Sequence, residues 1–193
     1  MKKLILLLIL IPSLVFGSIP DQAFKNAESF LNVREATGKN DGPQIEQWLG
    51  YIGLRKGDPY CAAMAIWCYH IAAVSEGQKD VLPKIGRSAG LLSYAKKNPF
   101  KYQVVSPNQI IFGAVILSKG DIAIFQHGTA IGSDFPGHTE LVNEQLTTAF
   151  FSSIGGNTGA TSSGNQAEGE GVYRKKRKIN ASGFPVRGFI RIK

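Results

Sequence analysis

Cys61 heads the apolar run CAAMAIWCYHIAAV, directly behind the turn Gly57-Asp58-Pro59. A thiol in the first turn of a helix feels the positive end of the helix dipole and nearby unpaired N–H groups. Both favour thiolate, so this is the address of a nucleophile. Cys68 lies two turns deeper in the same apolar run and gains neither effect, which marks it as structural. A thiolate nucleophile needs a base, and the chain has three histidines. His70 sits inside the buried run and reads as a core or boundary residue. His127 (FQHGTA) follows a strand and heads a loop, where a solvated ring is the default. His138 (FPGHTELV) opens a strand, so a rigid scaffold can hold it against the helix start; position alone favours it over His127. A third group orients the imidazole in such sites. Asn157 (IGGNTG), just past a strand, and Glu140, on the same strand face as His138, are the candidates. Each also has a plain reading, as a turn-forming Asn and a solvent-facing Glu. Side chains at i and i+2 stand ~6.5–7 Å apart and do not point at each other, which counts against Glu140.

These residues must be positioned by helices first and strands afterwards. Apolar spacing predicts helices over Asp21–Thr37, Gln44–Ile52, Cys61–Val74 and Ser88–Lys97. Asp58 is the expected N-cap before Cys61, with Pro59 at the first helical position. Beyond Pro99 the period changes. Ile110–Leu117, Asp121–Phe125, Thr139–Asn143, Ala149–Ile154, Gly171–Arg177 and Val186–Ile192 are β-branched or aromatic runs bounded by Gly, Pro, Asn and Ser. They read as an antiparallel sheet, and Gly155 to Gly171 reads as a loop. The result is an α+β fold in one domain, with N-terminal helices packed on a C-terminal antiparallel sheet.

The opening MKKLILLLILIPSLVFGS has a basic start, an uncharged apolar run and small residues before Ser18. It reads as a signal peptide over residues 1–17, with the mature domain over 18–193 and a secreted or periplasmic location. The apolar run is short of the ~20 residues a spanning helix needs. Loss of Lys2 and Lys3 leaves 20 basic and 14 acidic side chains, a formal charge of +6. A basic exported protein suits an anionic cell-envelope surface, and export separates it from nucleic acid. The densest basic cluster, Arg174-Lys175-Lys176-Arg177-Lys178, reads as the solvated face of a strand. On a helix Cys61 and Cys68 are ~10.5 Å apart along the axis. A disulfide needs Cα atoms within about 7 Å, so both are expected as free thiols.

GDPYCAAMAIWCYH resembles the nucleophile motif of the CHAP amidases (cysteine, histidine-dependent amidohydrolase/peptidases). The typical pattern there is Gly-x-Pro-Trp-Cys-Ala-x-Phe-x-x-Trp-Cys. Gly57, Pro59, Cys61, Ala62, Trp67 and Cys68 match it, with Tyr60 for Trp and Met64 for Phe. The family's Gly-His before an apolar strand falls on Gly137-His138, and its strand into Gly-Asn-Thr falls on Gly156-Asn157-Thr158. Gly171-Val172-Tyr173-Arg174 and Arg187-Gly188-Phe189 also look like strands of that group. The order Cys, His, Asn over roughly residues 30 to 192 is more specific than any one motif.

The resemblance implies a papain-like CHAP fold and hydrolysis of amide bonds in peptidoglycan or its muropeptides. It implies Cys61, His138 and Asn157 as catalytic residues, in a chemistry that needs no metal; some members bind calcium, but this sequence offers no acidic loop for it, so no cofactor and no metal are expected. Many members carry an acidic residue two positions before the Asn, where this chain has Gly155; orientation of the ring would then rest on Asn157. The reading is an exported cysteine hydrolase, either a muramoyl–alanine amidase or a stem-peptide endopeptidase. Cys61 attacks the carbonyl, His138 moves the proton, and the Cys61 N–H donates to the oxyanion, with the second donor unnamed. The alternative is a weak or inactive wall-binding module, which Gly155 favours.

Overall fold

The computed structural model describes residues 17–128, 135–160 and 169–193. The expected leader lies outside the described residues but for Gly17, as does the middle of the expected 155–171 loop. Four helices come first: α1 (Ile19–Ser29), α2 (Pro43–Tyr51), α3 (Cys61–Ser75) and α4 (Ser88–Lys97). Then follow β1 (Tyr102–Val105), the short α5 (Pro107–Ile111), β2 (Ile122–Gln126), β3 (Gly137–Gln145), β4 (Phe150–Thr158), β5 (Gly171–Lys178) and β6 (Val186–Ile192). Among the described residues this is an α+β fold with one six-stranded sheet in the order β1-β6-β2-β3-β4-β5. Every neighbouring pair is antiparallel.

The sheet buries both faces, which is why its strands are apolar on alternate residues of either parity. Ile122, Ile124, Leu141, Ile154, Val172 and Ile190 face the helices and share a core with Phe24, Trp48, Tyr60, Met64 and Tyr69. Ala123, Phe125, Val142, Phe151, Val186 and Phe189 form a second core on the other face. Helix α3 is apolar all round and its residues 61–66 are buried, as a central helix must be. It lies against α1, β3 and β4.

Four expectations are corrected. Ile110–Leu117 is not a strand. Ser106 and Gln109 form a capping box over α5 with Pro107 in its first turn, and Gly113, at φ 72°, then breaks the run. β1, before it, was not expected. Helix α1 stops at Ser29, well short of Thr37, and Arg34 instead bridges to Gly171. Asp58 is not the N-cap of α3. Its carboxylate accepts the Arg55 N–H at 2.8 Å and closes the preceding turn, while Tyr60 holds the N-cap position without a side-chain hydrogen bond.

The helix start is docked on the sheet through Gly156. A Cβ there would lie 2.9 Å from the Met64 Sδ and 3.1 Å from the Tyr60 ring. Gly156→Val is therefore expected to cost about 1–3 kcal/mol by overpacking. A lowered urea midpoint with an unchanged slope checks this; an unchanged midpoint would mean that α3 and β4 are not in this close contact.

Candidate active site

Cys61 is the first residue of α3, and His138 the second of β3. The structure brings their side chains together, and Cys61 also lines a cleft of about 260 Å3 with Pro59, Arg87, Ser88, His127 and Gly137, the residue before His138. A larger hollow of about 540 Å3 beside Ile19, Asp21 and Arg191 contains neither Cys nor His, so size alone does not locate the chemistry. Cys61 is 4% exposed and His138 fully buried. Burial pushes the Cys61 thiol up, but the His138 ring, the Thr139 N–H and the Ser88 hydroxyl outweigh it and bring the thiol below its ordinary range. Burial likewise pulls His138 down, and Cys61 and Glu140 together override it, raising the ring to about 9. The ring Nδ1 is buried and makes no completed hydrogen bond, which leaves it to face the thiol. Cys61 and Cys68 are both free thiols, and burial alone drives Cys68 far above its ordinary range.

The other ring nitrogen, Nε2, lies 3.1 Å from Glu140 Oε1. The expectation of a solvent-facing Glu140 that cannot reach His138 is corrected: its side chain is fully buried. The reason lies across the strands. Glu140 pairs with Gly155 of β4, and a Cβ at position 155 would sit 2.7 Å from Glu140 Cγ. With no side chain there, the Glu140 carboxylate lies down over β4 and leans along the sheet to the imidazole. Arg177 of β5 grips it through both Nε and Nη2, and the Ser153 hydroxyl donates to Oε2 at 2.6 Å. Burial raises the Glu140 carboxyl, but the Arg177 charge and the His138 bond carry it well below the usual carboxylate range. A buried carboxylate persists as an ion only with such partners.

Asn157 is buried at the end of β4, where the β4–β5 register shifts, in a left-handed conformation of φ 57°. Asn tolerates that conformation, and its backbone N–H lies beside the Tyr60 hydroxyl. Neutral Nε2–H donates one hydrogen bond, and Glu140 accepts it. His127 lies at the other side of the cleft, its ring 6.3 Å from that of His138. Burial, with the nearby His138 and Arg177 charges, depresses it to about 4, so it is neutral when His138 is charged. His70 is bonded to Asp80 at 2.6 Å on the far side of the helix layer.

Arg177, Ser153 and Ser88 were not singled out from sequence. For Arg177 a signal existed: five consecutive basic residues on one strand must divide between its two faces. The solvated-face expectation is corrected accordingly. Arg174, Lys176 and Lys178 point outward, while Lys175 and Arg177 are turned into the second face at 7% exposure each. Among the described residues, no three His, Cys, Asp or Glu side chains converge on a point that could hold a metal ion. Compared with protein-family models and with curated proteins, the chain matches none.

The two thiols are expected to react differently. Iodoacetamide should label Cys61 at neutral pH in the folded protein and Cys68 only on unfolding, and His138→Ala should move the Cys61 labelling midpoint upward. Equal labelling of both thiols would contradict the geometry. The charged cluster also fixes a pH window. His138, raised from 6.5 to about 9, adds stability that is complete below about pH 6.5 and lost as pH climbs through about 9. Glu140, depressed from 4.5, adds stability that is complete above about pH 4.5 and lost in acid. Urea midpoints followed from pH 3 to 10 check both edges, and His138→Ala should flatten the alkaline one.

Proposed function

We propose that this protein is an exported, papain-like cysteine hydrolase of the CHAP type that cleaves amide bonds in peptidoglycan. One observation carries the reading: a thiol at a helix start, an imidazole and a paired carboxylate stand in series, with the thiol at the wall of a cleft. The resemblance of GDPYCAAMAIWC, Gly137-His138 and Gly156-Asn157-Thr158 to the ordered CHAP motifs supplies the substrate class. Cys61 thiolate attacks the amide carbon, and the carbonyl pair moves to oxygen. His138, holding a proton on Nδ1, delivers it to the departing amine as the C–N bond breaks. Water, deprotonated by the now neutral ring, releases the acyl group.

Glu140 is the positioning residue for His138, fixing Nε2–H so that Nδ1 faces the sulfur and stabilising the imidazolium. This reassigns the orienting role from Asn157, which we place as the left-handed turn that ends β4 behind Tyr60. The alternative of an inactive wall-binding module drew on Gly155. That feature loses its weight, because the carboxylate absent from position 155 is supplied by its cross-strand partner Glu140. An exported protein of net positive charge also suits an anionic envelope surface, a partner class that follows from composition.

Mass spectrometry of muropeptides after digestion of purified peptidoglycan tests the activity and names the bond: new amine and carboxyl ends are expected with wild type and none with Cys61→Ala. Intact peptidoglycan with the wild type would refute the proposal. Glu140→Gln is expected to lower turnover about ten- to a thousand-fold, or about 1.4–4 kcal/mol of barrier, and to bring the alkaline limb of the pH profile down. Asn157→Ala should change turnover less than about threefold once compared at equal folded fraction. The reverse ranking would return the orienting role to Asn157.

A further inference from the structure

A thiol attacking an amide creates an oxyanion, and the fold supplies a donor for it beyond the α3 backbone. Ser88 is the first residue of α4, and its hydroxyl lies 3.9 Å from Cys61 Sγ inside the cleft. It is 4% exposed, unusual for a serine opening a helix, whose hydroxyl normally faces solvent or caps its own turn. The Thr139 hydroxyl donates to Ser88 Oγ at 2.8 Å. With Oγ accepting there, its own hydrogen is free to point to Cys61, in keeping with the share of the Ser88 hydroxyl in lowering the thiol. The site is built tightly around it. A Cβ on Gly137 would stand 3.1 Å from Ser88 Cβ, so the glycine before His138 is what lets α4 approach β3 this closely.

We infer that the Ser88 hydroxyl is a second oxyanion donor, acting with the Cys61 N–H on the tetrahedral intermediate. The inference rests on the reading of Cys61 as the nucleophile of an amide hydrolysis. The geometry permits it. An oxygen on the carbon bound to sulfur lies about 2.6 Å from that sulfur, and a hydroxyl 3.9 Å from the sulfur reaches it at hydrogen-bond distance. The N–H groups of the first turn of α3 share the task, because Tyr60 at the N-cap offers them no side chain. During the step the S–C bond forms and the carbonyl π pair moves onto oxygen, where Ser88 donates without giving up its proton. Collapse restores the carbonyl, breaks C–N and sends the His138 proton to nitrogen. Ser88 thus touches a reacting atom and is a catalytic residue, whereas Thr139 acts through it as a positioning residue.

The test compares two reactions of the same sulfur. Alkylation by iodoacetamide makes no oxyanion; peptidoglycan hydrolysis does. Ser88→Ala is expected to slow hydrolysis about ten- to a thousand-fold with KM changed less than about threefold, while the plateau rate of Cys61 alkylation, read where the thiol is fully ionised so that loss of the Ser88 bond to it drops out, slows less than about threefold. Thr139→Val, which removes the donor to Ser88 but keeps the Ser88 hydroxyl and frees its rotation, should fall between wild type and Ser88→Ala in hydrolysis. A third arm uses a trialanine aldehyde, which adds to the thiol and turns its carbonyl oxygen into the intermediate's oxygen whatever the natural substrate is. Ser88→Ala should weaken its binding about as much as it slows turnover. Equal losses in alkylation and hydrolysis would place Ser88 on the thiolate instead and overturn the inference. So would unchanged aldehyde affinity in Ser88→Ala, or a wild type that takes no aldehyde. A wild type that binds the aldehyde but leaves peptidoglycan intact would fail the substrate reading alone, with the aldehyde arm still deciding Ser88.

Discussion

The bond between Arg177 and Glu140 is the constraint on which the arrangement of this molecule turns. Both side chains are buried, and the guanidinium lies over the Phe125 and Phe184 rings, where an unpaired charge is prohibitive. Their pairing demands that β5 lie beside β4 and β4 beside β3, since the guanidinium must reach across β4 to the carboxylate. It also demands a gap in β4, which Gly155 provides. Once Glu140 is held there as an anion, the adjacent imidazole is drawn toward its charged form, and that in turn favours thiolate at Cys61. The series guanidinium, carboxylate, imidazolium, thiolate alternates in sign and sums to zero. Burial is tolerable for the set where it would not be for any member alone.

Much of this was legible in the chain, and what was hidden has a common cause. The apolar periodicity placed α3, α4 and β6 to the residue at one end or both, because their boundaries coincide with Pro, Gly and polar turns. Cys61 and His138 were legible as types at addresses: a thiol opening a helix, a ring opening a strand. Glu140 was weighed and set aside on its spacing from His138 within a strand. The decisive contact depends on what stands opposite on the next strand, and register is a tertiary quantity. Gly155 was noticed only as an absence, and its meaning needed its partner. The α5 segment failed for a different reason. Its residues Ile110 and Ile111 are β-formers, but the Ser106–Gln109 capping box and the Pro107 start outweigh that preference locally.

Residues of the same type are divided here by their surroundings. Cys61 and Cys68 sit two turns apart on one helix and are both buried. One faces an imidazole and two donors, the other has burial acting on it with no such partner to oppose it, and their titrations move in opposite directions. Burial therefore does not decide reactivity; the groups that share it do.

The two cleft histidines carry the same lesson to the proton itself. Their rings are 6.3 Å apart, close enough that charge on one disfavours charge on the other. His138 has a carboxylate on one nitrogen and a thiol by the other, and rises to about 9. His127 has burial against it, then the His138 and Arg177 charges, and falls to about 4. A pair pushed so far apart fixes which ring carries the proton across the whole neutral range. His127 then presents a neutral ring to the cleft and does not compete for the proton. The proton is confined to the one histidine whose second nitrogen is tied, through Glu140 and Arg177, to the far strand of the sheet.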